Sequence, residues 1–241
     1  MKKMILLSLL IASSGQLFSA DFNKPDLLLS ERLLAGVERQ PDRELFASIG
    51  NEGKFGDYDR VKKLLSSSKG LLKGKKRKED MPNVDAQNAY GWTPLMYAVI
   101  DPYKVKLVNL LIEKKADVNL VDEYGRTALM HAVQDGKTLE NVKALIAAGA
   151  DVNVQDVDGN TALMYAAKMY GQDALAKVNL LLEAGAEVNM QNNEGETAYL
   201  NAIDIHVKKA LIDAGADSKI EPDYLLKDTG AMTKAVRPDK K

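Results

Sequence analysis

The sequence predicts an all-α solenoid of stacked repeats, and three observations carry that prediction. One phrase recurs four times: Tyr90-Gly-Trp-Thr-Pro-Leu-Met, Tyr124-Gly-Arg-Thr-Ala-Leu-Met, Asp158-Gly-Asn-Thr-Ala-Leu-Met and Glu194-Gly-Glu-Thr-Ala-Tyr-Leu. Its glycines, Gly91, Gly125, Gly159 and Gly195, stand 34, 34 and 36 residues apart, a period that marks a stacked-repeat architecture. The chain is 46% hydrophobic but only 6% aromatic, so its apolar content is mostly Leu, Ala, Val, Ile and Met, which suits close helix packing.

The chain begins with the layout of a secretory leader. Lys2 and Lys3 form a positive start, Ile5 to Ala12 an apolar run, and Ser13 to Ala20 a small or polar exit. That run is about half of the ~20 residues a bilayer span requires, so no permanent anchor is expected. Cleavage is expected after Ala20, with a cut a few residues earlier as the alternative because Phe18 is bulky for its place. Residues 1–20 are therefore read as a signal peptide and the product as periplasmic or secreted. Loss of Lys2 and Lys3 takes the net charge from −1 to −3. Neither value supplies a strong field towards nucleic acid or membrane.

Residues 21–41 read as an N-terminal segment whose Leu27-Leu-Leu and Leu33-Leu34 suggest a capping helix ending near Arg39. Residues 42–88 read as a degenerate first repeat. Glu44 to Asn51 is its inner helix, Asp57 to Ser66 its outer helix, and Pro82 to Asn88 its exit. An insert at 69–81 carries six cations in ten residues, Lys69, Lys73, Lys75, Lys76, Arg77 and Lys78. The mature chain outside residues 69–78 then carries −9. The insert reads as a solvated loop, with weak contact to an anionic surface through Lys73, Lys75, Lys76, Arg77 and Lys78 as the alternative. No aromatic residue interleaves with the cations, so nucleic-acid binding is not expected.

Residues 89–219 hold the four clear repeats. In each, Thr opens a short inner helix, because its hydroxyl can accept an orphan backbone N–H. These helices are expected at 93–100, 127–134, 161–169 and 197–204, and Pro94 occupies a first helical position that tolerates it. Outer helices follow, with Val105, Val108, Leu111 and Ile112, then Val142, Leu145 and Ile146, then Val178, Leu181 and Leu182 at helical spacing. Gly149, Gly185 and Gly215 end them as left-handed caps. The connecting segments run Ala116-Asp-Val-Asn, Ala150-Asp-Val-Asn, Ala186-Glu-Val-Asn and Ala216-Asp-Ser-Lys.

The Gly-x-Thr-Pro/Ala-Leu opening, the Val-x-x-Leu-Leu second helix and the Gly-Ala-Asp-Val-Asn exit together resemble the ankyrin repeat, over residues 42–219. The resemblance implies paired antiparallel helices with a β-hairpin-like finger between successive repeats. The family's His in the opening is Met96, Met130, Met164 or Leu200 here. Part of its hydrogen-bonding role is then expected to pass to Thr and Asn while Met fills the space. Around Met169-Tyr-Gly-Gln-Asp two extra residues lengthen one inter-helix turn. Ser218-Lys219 replaces Val-Asn at a place expected to receive the next finger, so the array is expected to stop there. Residues 220–241 read as a C-terminal cap and flexible tail.

No catalytic constellation is visible. Cysteine is absent, which excludes disulfides, thiolate zinc sites, cysteine nucleophiles and lipoprotein attachment. His131 and His206 lack metal-pair spacing and read as structural residues inside repeat helices. Asp117, Asp151, Asp156 and Asp217 recur as turn residues, without a calcium-loop spacing. No phosphate-cradling loop or nucleophile elbow is found, so neither enzyme activity nor a cofactor is expected.

In such stacks the resemblance places partner contacts on finger tips and on the concave side of the inner helices. Carried over residue by residue, the tips are Ala89, Tyr90 and Trp92, then Glu123, Tyr124 and Arg126, then Val157, Asp158 and Asn160, and last Asn193, Glu194 and Glu196. The inner-helix ends add Ile100, Asp101, Gln134, Asp135, Lys168 and Met169. Tyr90, Trp92 and Tyr124 are the expected anchors, since Trp, Tyr and Arg dominate interface hot spots. Packing against a neighbouring finger is an equal alternative for Trp92. Tyr97, Tyr165 and Tyr170 are assigned to inter-repeat packing. The expected function is a non-catalytic scaffold that binds a protein partner. A regulator, inhibitor or immunity-type protector of an envelope enzyme is the alternative, and a hydrolase or metalloenzyme the third class.

Overall fold

The computed structural model describes residues 34–49, 56–66, 81–135 and 138–220. The leader, most of the N-terminal segment, the cations of the basic insert and the tail beyond Ile220 lie outside the described residues. Ten α-helices are found among those described: α1 (Gln40–Ile49), α2 (Gly56–Leu65), α3 (Pro94–Val99), α4 (Val105–Glu113), α5 (Ala128–Gln134), α6 (Leu139–Ala147), α7 (Ala162–Ala167), α8 (Gln172–Glu183), α9 (Ala198–Asn201) and α10 (Ile205–Asp213). Odd-numbered helices form an inner layer and even-numbered ones an outer layer. Each inner helix packs on its own outer helix and on the inner helices of neighbouring repeats.

The inner helices begin as the threonines dictate. The hydroxyls of Thr93, Thr127, Thr161 and Thr197 accept from the backbone N–H groups of Met96, Met130, Met164 and Leu200 at 3.2 to 3.4 Å. Each such cap contributes about 1 kcal/mol. The helices are shorter than their sequence pattern suggests. α7 ends at Ala167 rather than Met169, and α9 stops at Asn201, where Ala202 turns extended at ψ 127°.

Burial follows the repeat. Met96, Met130 and Met164 are all about 1% exposed, and Ala98, Ala132, Ala166 and Ala167 let neighbouring inner helices approach closely. One apolar core runs from Leu45 in α1 to Leu211 in α10. Side chains from the outer layer also hold the inner-helix C-termini. Asn141 Nδ2 donates to the Val99 carbonyl at 2.9 Å, and Lys177 Nζ to the Val133 carbonyl at 2.6 Å.

Successive fingers are joined by a backbone ladder. The carbonyls of Tyr90, Tyr124 and Asp158 accept from the N–H groups of Glu123, Val157 and Asn193 at 2.9 to 3.1 Å. The ladder starts earlier than the sequence reading places it. Gly36 takes φ +73°, and the Ala35 carbonyl accepts from the Ala89 N–H at 2.6 Å. Residues 34–37 are thus a turn in finger position, and no helix continues to Arg39. Valine–asparagine exits also act differently from expectation. Asn119 and Asn153 donate Nδ2 to the Gly149 and Gly185 carbonyls, and their Oδ1 atoms accept from the Asp151 and Glu187 N–H groups. They therefore receive the end of the next outer helix, not the next finger. Lys219, in the corresponding place after α10, cannot supply both bonds because its ammonium only donates.

Two kinds of positive-φ position occur, and they differ physically. A Cβ on Gly91 would meet Asp122 Cα at 2.8 Å, so that glycine permits the next finger to dock. Nothing lies within 4 Å of a Cβ on Gly149 or Gly185, where only the left-handed backbone calls for glycine. The corresponding place after α4 is Lys115, at φ +67°. Lys115→Gly should therefore stabilise the chain by about 0.5–1 kcal/mol in urea denaturation, through relief of left-handed strain. Gly91→Ala should destabilise it by more than 1 kcal/mol, on the order of 1–3, because backbone strain and a close contact coincide.

Candidate functional site

Each finger is closed by one side-chain oxygen. Oδ1 of Asn88 accepts from the N–H groups of Tyr90 and Trp92, that of Asp122 from Tyr124 and Arg126, that of Asp156 from Asp158 and Asn160, and that of Asn192 from Glu194 and Glu196, all at 2.8 to 3.0 Å. Glutamine side chains then tie one finger to the next. Gln87 Nε2 donates to the Gly91 and Val121 carbonyls, and Gln155 Nε2 to the Gly159 and Gln191 carbonyls.

A polar layer lies behind the fingers, built from residues that sequence reading did not connect. The Asn88 amide donates to the Tyr97 hydroxyl at 2.9 Å, His131 Nε2 is 2.9 Å from Asp122 Oδ2, and the Tyr165 hydroxyl donates to Asp156 Oδ2. Tyr97, His131 and Tyr165 stand 34 residues apart, each directly after the methionine that replaces the family's His. The hydrogen-bonding role expected of Thr and Asn is thus shared with these rings. The recurrence was present in the sequence, but the change between phenol and imidazole hid it.

Burial and charge set the protonation of this layer. Burial alone would raise the Asp122 carboxyl, but the His131 hydrogen bond, the Arg126 N–H and both neighbouring charges together hold it below the ordinary range. Burial, and then the hydrogen bond to Asp156, push the Tyr165 phenol up. Burial lowers the Lys177 ammonium. A perturbed amine can mark a nucleophile, but Lys177 is only 2% exposed and donates to the Val133 carbonyl, so it reads as a helix cap. His131 is fully buried, whereas His206, assigned a structural role from sequence, is exposed on α10.

The residue after each tip glycine turns into the seam between fingers. Trp92 lies 4.7 Å from the Tyr97 ring and 4.3 Å from the His131 ring, bridging two inner helices. Arg126 Nε is 3.4 Å from Asp122 Oδ2, and its guanidinium stands 5.0 Å from the Tyr124 ring. Asn160 is 8% exposed and accepts from Asn192 Nδ2. Trp92, Arg126 and Asn160, all expected among the partner contacts, thus also fill the seam, and for Trp92 this is the packing that the sequence left as an equal alternative. Asp101 is also engaged: it caps a short 3-10 turn at Tyr103 and pairs with Lys104 at 3.0 Å. Ile100 and Met169 pack partly against the core.

The remaining expected contacts do reach solvent. Glu123, Tyr124, Val157, Asp158, Asn193 and Glu194 are exposed along the finger row, while Tyr90 is half-buried. Gln134 and Lys168 are exposed at the ends of α5 and α7. Tyr124 is 43% and Val157 58% exposed. Glu123, Asp158 and Glu194 have no ion-pair partner among the described residues. Tyr170, assigned to packing, is instead 70% exposed in the lengthened turn before α8. Tyr103 and Ile203 are likewise exposed between helices and Ile205 at the start of α10, and no periodic signal in the sequence marked them.

The exposed tips form a continuous row on the surface. The best-formed depression among the described residues, about 380 Å³, is lined by Arg39, Leu65, Met81, Pro82, Asn83, Val84 and Lys114, without an acid–base pair. Among the described residues, no group of three or more His, Cys, Asp or Glu side chains could hold a metal ion, and no helix is long and apolar enough to cross a membrane. The polar layer gives a testable pH signature. The Asp122 pKa is depressed in the folded state, so its contribution is present above the unfolded value near 3.8 and is lost as pH falls through the folded value. Asp122→Asn should cost about 1–3 kcal/mol at pH 7. That difference from wild type should shrink steadily in urea titrations below about pH 4.

A comparison with curated proteins gave no match. A family model described as ankyrin repeats (3 copies) matches residues 52–156 and 132–222, together more than half of the chain. Ankyrin repeats generally mediate protein–protein interaction and are typically scaffolds rather than enzymes. With its Thr-capped inner helices, glycine-ended outer helices and laddered fingers, the chain belongs to the ankyrin repeat family.

Proposed function

We propose that this chain is an exported, non-catalytic scaffold that binds a protein partner along its finger row and the adjoining ends of the inner helices. One observation carries the reading. Tyr124 and Val157 stay solvent-exposed on adjacent finger tips whose bases are locked by Asp122 and Asp156. A rigid base with an exposed apolar tip loses little entropy on binding, which favours affinity. Three exposed carboxylates, Glu123, Asp158 and Glu194, flank these tips and favour a partner with cationic groups at that end. The leader-like residues 1–20 support export.

Pull-down of the mature chain from envelope extract tests the binding surface. Tyr124→Ala/Val157→Ser should cut partner recovery at least ~10-fold while changing stability by no more than about 0.5 kcal/mol, since both sites are exposed. Identical recovery by wild type and variant would reject this surface. Trp92→Ala serves as a contrast and should cost about 2–4 kcal/mol in urea denaturation, because its ring fills the seam between Tyr97 and His131. N-terminal sequencing of the native protein should begin near Asp21. A cytosolic product starting at Met1 would defeat export.

A further inference from the structure

The inter-helix turns make a second edge, at the far end of the inner helices from the fingers, and that edge carries apolar side chains. Each turn is clipped to the one before it. Lys104 Nζ donates to the Ile49 carbonyl, Asn141 Nδ2 to that of Val99 and Lys177 Nζ to that of Val133. Each of the three directly precedes a valine of its outer helix, so the clip recurs in register and sets the turns in one line. Along this line Tyr103 is 93% exposed, Tyr170 70%, Ile203 50% and Ile205 72%. Two of these turns are braced from within. Asp101 accepts from the Tyr103 N–H at 2.9 Å and Asp204 from the His206 N–H at 2.8 Å.

The two edges differ in charge. The finger-bearing segments 116–127, 150–161 and 186–197 hold nine acids and one cation, Arg126. The turn segments 100–106, 135–140, 168–173 and 202–209 hold five acids and six lysines. Asp101 pairs with Lys104 and Asp204 is engaged in its cap, whereas Lys106, Lys168 and Lys209 are exposed, as are the acids Glu140 and Asp173. An anionic bilayer therefore repels the finger edge and accepts the turn edge, which orients the molecule. The apolar side chains fit the same surface. Tyrosine is favoured at the membrane–water interface, and isoleucine gains by entering it. To a second copy, four side chains on separate turns offer a discontinuous contact, short of the ~800 Å² per partner of a standard interface. A fluid bilayer requires no matching shape.

The geometry points to a lipid-docking edge. Tyr103, Tyr170, Ile203 and Ile205 enter the interfacial layer of an anionic bilayer, and Lys106, Lys168 and Lys209 meet its headgroups. The fingers then face away from the membrane and stay free. Such binding is peripheral, since its strength comes from shallow apolar burial plus attraction to anionic lipid and needs no spanning helix. The inference uses the edge away from the finger row and is independent of the partner-binding reading.

Vesicle flotation tests it, with the chain from Asp21 onward so that the apolar run near the start makes no contribution. Wild type should float with vesicles of phosphatidylethanolamine and phosphatidylglycerol. Tyr103→Ser/Tyr170→Ser/Ile205→Ser should lower the partition coefficient at least ~10-fold. Emission of the single tryptophan, Trp92, which sits in the seam, should stay unchanged in the variant and report an intact stack. Because the chain lacks cysteine, Ile203→Cys and Val157→Cys can each carry one environment-sensitive fluorophore. Vesicles should shift the emission of the first label to the blue and leave the second unchanged. Absence of wild-type flotation would overturn the proposal. So would equal flotation of wild type and triple variant, which would place the contact on the basic insert, or a blue shift at the Val157 site. A wild-type dimer in sedimentation velocity that the triple variant converts to monomer would assign the edge to a second copy instead.

Discussion

The structure depends on the side-chain oxygen at the base of each finger. Asn88, Asp122, Asp156 and Asn192 each take two backbone N–H groups of their own turn, which would otherwise be orphaned close to the core. The other polar atom of the first three meets Tyr97, Asp122's neighbour His131, or Tyr165 on the inner helix behind. One residue therefore fixes both the local turn and the angle at which the finger leaves the helical layer. Because these groups are buried and mutually bonded, loss of one leaves its partners unsatisfied, and the cost exceeds that of a single surface bond.

That anchoring separates building residues from presenting ones. Positions after the tip glycine turn inwards, as Trp92 does between Tyr97 and His131 and Asn160 does towards Asn192. Before the glycine, Tyr124, Asp158 and Glu194 stay in solvent, while Tyr90 is half-buried. The exposed row thus carries Glu123, Tyr124, Val157, Asp158 and Glu194 on a stiff support, whereas the single tryptophan serves the support. Rigidity of this kind comes from the seam, since each finger also takes a backbone bond from the next.

Much of the fold was legible because its determinants are local and periodic. A threonine cap, a glycine terminus and apolar spacing all act within one or two turns, and they recurred in register. The first finger at Ala35-Gly36 was not legible, because 55 residues separate Gly36 from Gly91 and the insert breaks the period. Trp92 could be read either way, since a ring between two inner helices and a ring facing a partner have the same sequence signature. Lys177 was equally silent: only the fold brings its ammonium to the Val133 carbonyl, 44 residues away.

By itself the sequence determined the repeat, its period and the paired helices. It also determined that no cysteine chemistry is present. Only the tertiary structure decided which side of each finger faces solvent, that Tyr97, His131 and Tyr165 form one polar layer, and that the asparagines of the exits clip the next outer helix. The reason is physical. Caps and helical spacing are settled by bonds between residues up to four apart, whereas exposure is settled by contacts between residues some 30 apart, which exist only once the repeats have stacked.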